Sequence, residues 1–333
     1  MIGLVTAPIL CALLPVVIVL TAAPLNLRTA AETDLGKSQL LHGTPPPPLP
    51  EPITLKMVTF NIADARLFTT NRKERILGIA ETLSKLDPDI VGLQEAFVCK
   101  DRELLVAALA DTRLKYHTWY PCALVGNGLF TLSAFPIVES FFHRYTASNP
   151  WYKVWEGDWW AGKGVGLARV KLPNGSIVDF YNTHAQSGRN HFDYLEVRTI
   201  QMQEAKAFIQ ASHLPTAAGF FVGDFNTRLN KADFKVILDG LNLERVMNVD
   251  TSIDHLFAIG NPHYRFTTTD TREITGTVQG SHGSIFLGRA PSWKELYKAY
   301  FGEGEETPLS DHDGYISSVT VQPKAAGGLC GEI

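Results

Sequence analysis

Residues 219–226 read GFFVGDFN. Phe220, Phe221 and Val222 form the short continuous apolar run of a strand buried on both faces, and Gly223 lets the backbone turn before an acid and an amide appear two residues apart. In an extended segment residues i and i+2 point to the same side, so Asp224 and Asn226 face one pocket from the end of a rigid element. Taken alone, the stretch also fits an ordinary strand followed by an Asx turn at Asp224. The pattern recurs, however: other strand-like runs end on Asn61, Glu95, His184, Asp254 and the Asp311-His312 pair. Repeated endings of this kind on separate buried strands point to termini that converge on one site. Carboxylates and amides without cysteine favour a hard divalent ion such as Mg²⁺, with Mn²⁺ as the alternative.

The elements that would deliver these residues are legible from periodicity. Leu55 to Ile62 reads as a strand, and Asn71 to Glu74 as an N-x-x-E box opening a helix with Ile76, Ile79, Ala80, Leu83 and Leu86 at helical spacing. Ile90 to Glu95 is a second buried strand, and a short helix follows around Arg102 to Leu109. Further strands are predicted at Gly128–Leu132, Gly164–Lys171 and Ile177–Tyr181, the last two joined by the hairpin signal Asn174-Gly175. A long helix spans about His191 to Ala211, and another lies near Ala232 to Gly240. Ile253 to Ile259 reads as a strand, Asn261 to Ser284 as polar turns, Lys294 to Tyr300 as a helix and Tyr315 to Val321 as a final strand. Strands and helices interspersed in this way, with antiparallel hairpins, predict an α/β chain with mixed sheets.

The flanks differ from this core. Residues 1–26 carry no charged side chain and hold a dense apolar run through Val16–Leu20, which predicts either a removed secretory signal or a retained membrane anchor. Pro8, Pro15 and Pro24 argue against a core helix there. The protein is therefore expected to be secreted, or anchored with its folded domain outside. Residues 27–52 read as a Pro-rich linker whose Thr44–Pro50 stretch forms an extended spacer, residues 53–322 as the folded domain, and residues 323–333 as a flexible tail. In an exported chain Cys99 and Cys122 could pair, or stand as two buried thiols. A net charge of -4 supplies no global basic field for nucleic acid or acidic lipid.

Phe60-Asn61-Ile62, Gly92-Leu93-Gln94-Glu95, Asn182-Thr183-His184, Gly223-Asp224-Phe225-Asn226, Ile253-Asp254-His255 and Ser310-Asp311-His312-Asp313 resemble, in order, the motifs of the endonuclease/exonuclease/phosphatase superfamily. The resemblance covers about Ile53 to Val321. It implies a four-layer sandwich, two mixed β-sheets face to face with helices outside, and a Mg²⁺-dependent phosphodiesterase site at one edge. It also implies roles: Glu95 as direct metal ligand with Asn61 nearby, Asp311 in the outer metal or water shell, and His312 as general base with Asp254 on its other ring nitrogen. Asp224 would orient the nucleophile or leaving group, and Asn226 and His184 would donate hydrogen bonds to phosphoryl oxygens. Asp64, His255 and Asp313 lie beside these motifs without a matching position and receive no role.

Segments between the motifs separate the substrate classes. Asn127–Ser133, Asp158–Val165 and Tyr181–Gln186 resemble neutral sphingomyelinases. Asn127 and Gly128 stand where family nucleases carry a glutamate, and Ser252-Ile253-Asp254-His255 lacks the Trp-Cys-Asp-Arg signature of inositol-phosphate 5-phosphatases. Lys163 fits the sphingomyelinase pattern and is expected to neutralise a phosphoryl oxygen. Trp151, Trp155, Trp159 and Trp160 crowd one segment, either as a wedge for a membrane surface or as core packing. The expected activity is hydrolysis of sphingomyelin at a membrane surface to ceramide and phosphocholine by a monomer with no nucleic-acid partner. The alternatives are an exported nuclease or inositol-phosphate phosphatase of the same fold, and a catalytically silent relative that binds a membrane or partner.

Overall fold

Leu55 and Met57 on one side of the first strand, and Val58 and Phe60 on the other, are all buried. A strand with two apolar faces needs cover on both, and the chain supplies it with a second sheet on one side and helices on the other. The computed structural model describes residues 34–65, 69–120, 126–149, 161–188, 194–283 and 302–324, together with Tyr297. Its strands are β1 (Ile53–Asn61), β2 (Ile90–Gln94), β3 (Tyr116–Trp119), β4 (Phe130–Ser133), β5 (Ile137–Arg144), β6 (Gly164–Lys171) and β7 (Ile177–His184). They continue as β8 (Ala218–Asp224), β9 (Leu243–Arg245), β10 (Asp254–Ile259), β11 (Tyr264–Ile274), β12 (Thr277–Gln279), β13 (Glu306–Pro308) and β14 (Gly314–Pro323). The helices are α1 (Gln39–His42), α2 (Arg72–Leu86), α3 (Cys99–Ala108), α4 (Leu195–Ser212) and α5 (Ala232–Leu238).

Among the described residues β12 pairs with β13 alone, and the other twelve strands form two six-stranded sheets, ordered β11-β14-β1-β2-β4-β3 and β5-β6-β7-β8-β10-β9. Each is antiparallel except for one parallel pair, β1/β2 and β7/β8. Leu55, Met57, Ile90, Val319 and Val321 from one sheet meet Val178, Phe180, Phe220, Val222 and Leu256 from the other in a single apolar cluster. Full burial of side chains such as Phe220 and Val222 is worth about 1.5–3 kcal/mol each. Outside this layer α2 and α3 cover the first sheet and α4 and α5 the second. The fold is thus the expected four-layer sandwich of two mixed sheets, and the Asn174-Gly175 turn joins β6 to β7 with Gly175 at φ +88°.

Four expectations need correction. The linker does not stand off from the domain: residues 34–50 are strapped onto it. Leu49 is buried in the inter-sheet cluster, and Leu40 and Leu41 pack on Ile177, Leu214 and Ala217. The first-turn amides of α1, which have no partner within the helix, donate to Glu139 (Gln39 N to Oε1, 2.7 Å), and the Ser38 hydroxyl donates to the same carboxylate. The turn-rich reading of 261–284 misses β11, an eleven-residue edge strand whose Thr, Arg, Asp and Glu side chains face solvent and leave no apolar period. Asn71 does not close a capping box. It sits at φ +52°, and its amide is spent on His282 O and Thr307 Oγ1 instead. Cys99 is a free exposed thiol, not a buried one.

The apolar run 1–26, Cys122, the segment carrying Trp151, Trp155, Trp159 and Trp160, and most of the helix expected at 294–300 lie outside the described residues. No helix of the described residues is long and apolar enough to cross a membrane.

Candidate active site

Two parallel pairs and one antiparallel pair decide where the polar strand ends meet. β1 runs beside β2 with Asn61 opposite Gln94, and β7 beside β8 with His184 opposite Asp224. β10 runs against β8 and so starts where β8 stops, placing Asp254 opposite Asp224. Alternation then chooses the face. Phe220 and Val222 point between the sheets, so Asp224 does too, and Leu256 and Ala258 place Asp254 on the same inner side. Gly223 permits this close approach: its φ is +145°, and a Cβ there would stand 2.0 Å from Thr183 O.

The result is a polar cluster at one open edge of the sandwich. Asn61 Nδ2 donates to Asp224 Oδ2 at 3.0 Å and to Glu95 Oε1 at 3.2 Å, bridging the two carboxylates. Asp254 Oδ2 accepts from His312 Nδ1 at 2.9 Å, and His312 Nε2 lies 3.8 Å from Asp224 Oδ2. His184 Nε2 lies 3.4 Å from Asp224 Oδ2 and 2.9 Å from Lys163 Nζ, which also donates to Ala185 O at 2.6 Å. Asn226 N donates to Asp224 Oδ1 at 2.8 Å, and Asn226 Nδ2 to Ala185 O at 3.1 Å. Ala63, Glu95 and Asn226 all hold left-handed backbone, at φ +46°, +55° and +51°. Such conformations cost about 1–3 kcal/mol for a side-chain-bearing residue and persist where the surroundings over-determine them.

Electrostatics follow from this crowding of carboxylates. Burial opposes charge on His312, but Asp224, the hydrogen bond and charge of Asp254, and Asp311 together raise its pKa to about 11. Asp254 is raised by burial and by Asp224, and its bond to His312 works the other way. Burial raises Glu95, opposed by Lys163. An edge so rich in negative charge suits a cation. Asp224, Asp254 and His312 each present one donor atom, all within 4.8 Å of one another. Asp254 Oδ1 is buried and has no hydrogen-bond partner among the described residues. Oxygen-rich donors with an orphaned carboxylate oxygen fit a hard divalent ion.

The structure therefore brings Asn61, Lys163, His184, Asp224, Asn226 and Asp254 together with Glu95, Asp311 and His312. Asn61 Oδ1 accepts from Ala63 N at 3.0 Å, so its nitrogen faces the carboxylates. His184 is joined to Lys163, and since an ammonium has only donors to give, Nε2 accepts from it. Lys163 is itself 5% exposed and packed against the His184 strand end. Asn127 is buried, accepting from Leu129 N at 2.7 Å and donating to Tyr120 O. Gln94 and Asn182, which sequence reasoning left without a role, pair between the sheets directly behind the site, Gln94 Nε2 donating to Asn182 Oδ1 at 2.7 Å. Their inner-face parity with Asp224 is the signal that could have found them.

The family model described as Endonuclease/Exonuclease/phosphatase family matches residues 58–286. The chain is similar to an inositol phosphosphingolipids phospholipase C of Schizosaccharomyces pombe, 32% identical over 251 residues, which cover 72% of this chain and 55% of the relative. It is similar also to sphingomyelin phosphodiesterase 2 of Rattus norvegicus, 28% identical over 176 residues, covering 52% of this chain and 41% of the relative. The chain thus spans about half the length of the curated relatives it matches. Among solved structures, sphingomyelinase C from Streptomyces griseocarneus shares the fold with a TM-score of 0.57 and 21% identity, covering 80% of this chain and 99% of that one. A Staphylococcus aureus beta toxin mutant with bound magnesium ions does so with a TM-score of 0.58 and 17% identity, over 82% of this chain and 100% of that one.

Proposed function

The chain belongs to the endonuclease/exonuclease/phosphatase family, and on that premise we propose that it is a Mg²⁺-dependent phosphodiesterase that hydrolyses sphingomyelin to ceramide and phosphocholine. The observation that carries the reaction type is the Asp254–His312 pair facing Asp224 across the strand ends. Asp254 holds Nδ1 of His312 and leaves Nε2 toward the cleft, where it can take a proton from a water as that water attacks phosphorus. The bond from phosphorus to the ceramide oxygen breaks, and one water is consumed for each ceramide and phosphocholine released.

Glu95, Asp224 and Asp254 are the residues that would hold the cation, with Asp311 outside them. A divalent ion bound there supplies Lewis-acid polarisation of a phosphoryl oxygen. Positive charge among these carboxylates also opposes the field that keeps His312 protonated, which favours the neutral ring a general base requires. Lys163 and Asn226 bring N–H donors to the same edge.

The choice of lipid is supported by the relatives' names and by Asn127-Gly128 in place of a glutamate. A second reading has its own support: a relative at 32% identity is named for inositol phosphosphingolipids, which makes that headgroup the competing substrate. Membrane contact through the tryptophan segment, export through residues 1–26 and a monomeric state complete the proposal.

One assay separates the readings. Purified full-length protein is incubated with and without EDTA against vesicles of sphingomyelin, vesicles of inositol phosphosphingolipid, plasmid DNA and an inositol polyphosphate. Mg²⁺-dependent release of phosphocholine, abolished by EDTA, is expected. Cleavage of the inositol lipid alone moves the headgroup assignment, cleavage of DNA or the polyphosphate overturns the lipid reading, and turnover of none of them leaves a binding protein.

A further inference from the structure

We propose that Arg75, seconded by the Ser310 hydroxyl, is a positioning residue that holds the loop after Asn61 and the loop of Asp311 and His312 in one register. The reading of the cluster as a metal-dependent phosphodiesterase site underlies the metal-binding consequence of this proposal; the geometry stands without it.

Arg75 lies on α2 and is 1% exposed. Its planar fork reaches under the strand ends and ends on backbone carbonyls. Nε donates to Leu309 O at 2.8 Å, one terminal nitrogen to Ala63 O at 3.1 Å, and the other to Ile62 O. Irregular backbone at a strand end has no ladder to satisfy it, and buried carbonyls must find donors elsewhere. Here a single guanidinium serves carbonyls from two segments far apart in sequence.

What those carbonyls belong to makes the arrangement functional. Ala63 holds the left-handed conformation, which turns its N–H onto Asn61 Oδ1. With its oxygen held there, Asn61 can direct only Nδ2 at Glu95 and Asp224. Fixing the carbonyls of Ile62 and Ala63 therefore fixes the amide that bridges the two carboxylates. On the other side Leu309 immediately precedes Ser310, whose hydroxyl donates to Asn61 O at 2.6 Å and accepts from His312 N at 3.3 Å. The loop that carries the base is thus tied to the loop that carries the bridging amide. Burial lowers the Arg75 pKa to about 10, while Asp64, Asp311 and Glu95 oppose that shift, so the guanidinium stays charged at neutral pH. A lysine would keep the charge but lacks the fork that spans three acceptors.

The test uses full-length protein carrying Arg75→Lys or Ser310→Ala, at temperatures well below each unfolding midpoint, with two readouts. Amide hydrogen exchange reports the turn without any metal, and calorimetric titration with Mn²⁺ reports the site. Arg75→Lys is expected to speed exchange at Ala63 and Asp64 by about tenfold relative to amides of β7 and β8, and to weaken Mn²⁺ binding by about tenfold, as loss of a supporting partner typically does. Ser310→Ala is expected to act in the same direction by up to about tenfold. Unchanged exchange and Mn²⁺ affinity in Arg75→Lys overturn the proposal. So does a uniform acceleration across both sheets that tracks a lowered midpoint, because that is the signature of core packing alone. If Arg75→Lys does not fold, Ser310→Ala decides by the same criteria. A wild-type protein that cleaves no phosphodiester while Arg75→Lys still frees the Ala63 turn removes the functional reading and leaves this one standing.

Discussion

His255 and His312 each follow an aspartate, in two identical dipeptides whose surroundings make opposite use of the imidazole. The His255 ring sits among Phe225, Phe234 and Phe257, with centroids 5.5, 5.2 and 5.7 Å away, and its Nε2 donates to Thr227 O at 2.9 Å. Burial lowers its pKa to about 4, so it is a neutral core residue at physiological pH. His312 lies between Asp254 and Asp224, which raise its pKa to about 11 against the effect of burial. Strand parity produces the contrast. On β10, Asp254 faces the inter-sheet edge and the next residue, His255, faces α5 and its aromatic cluster. A histidine beside an acid in sequence therefore says nothing about its chemistry until the face is known.

Substitution should separate the two sharply. His312→Ala is expected to reduce turnover per folded molecule by about 10²- to 10⁴-fold, the usual contribution of a positioned general base. Retained turnover would refute the assignment of the base. His255→Ala should do the reverse, costing about 2–4 kcal/mol of stability through the cavity it leaves, with turnover per folded molecule unchanged. Chemical denaturation and initial rates measured on the same preparations check both arms, and a loss of rate in folded His255→Ala breaks the comparison.

pH sharpens it further. The unfolded chain binds a proton on His255 near the ordinary value of 6.5, whereas the native state resists until about pH 4. The unfolded state then holds more protons in that interval, so the stabilisation is complete above about pH 6.5 and falls away as pH drops toward 4, by about 3 kcal/mol. Urea titrations of wild type and His255→Phe across this window should show a shallower acid loss in the variant; parallel curves would discard the neutral-core reading. The smallest expected effect belongs to Asp254→Asn, about 10- to 100-fold in rate, because it keeps the shape of the His312 partner while removing its charge and one of the oxygens that would hold the cation. An Asp254→Asn protein with wild-type rate would leave Asp254 no role in orienting the base.

Much of this was visible in sequence, for a definite reason. β1, β2, β6, β7, β8 and β10 are buried on both faces and announce themselves as apolar runs. Their polar last residues stand out against that background. Elements whose stability comes from partners elsewhere stayed hidden. β11 is polar and solvent-facing, held by β14 and not by its own pattern. The strap at 34–50 looks like a spacer until Glu139 and Tyr264, 100 and 215 residues further along the chain, supply its hydrogen bonds. Arg75 reads as one more surface arginine on an amphipathic helix until the carbonyls beneath it are known.

By itself, then, the amino-acid sequence determined the strands buried on both faces and the residue types at their ends, because period, turn chemistry and side-chain chemistry are local. Only the tertiary structure decided which atom of each residue does what. Asn61 meets Asp224 163 positions away and turns its nitrogen to it only because Ala63 claims its oxygen. Lys163 finds His184 across a strand pair. Those choices rest on where long-range hydrogen bonds are satisfied, and no local pattern in the chain encodes them.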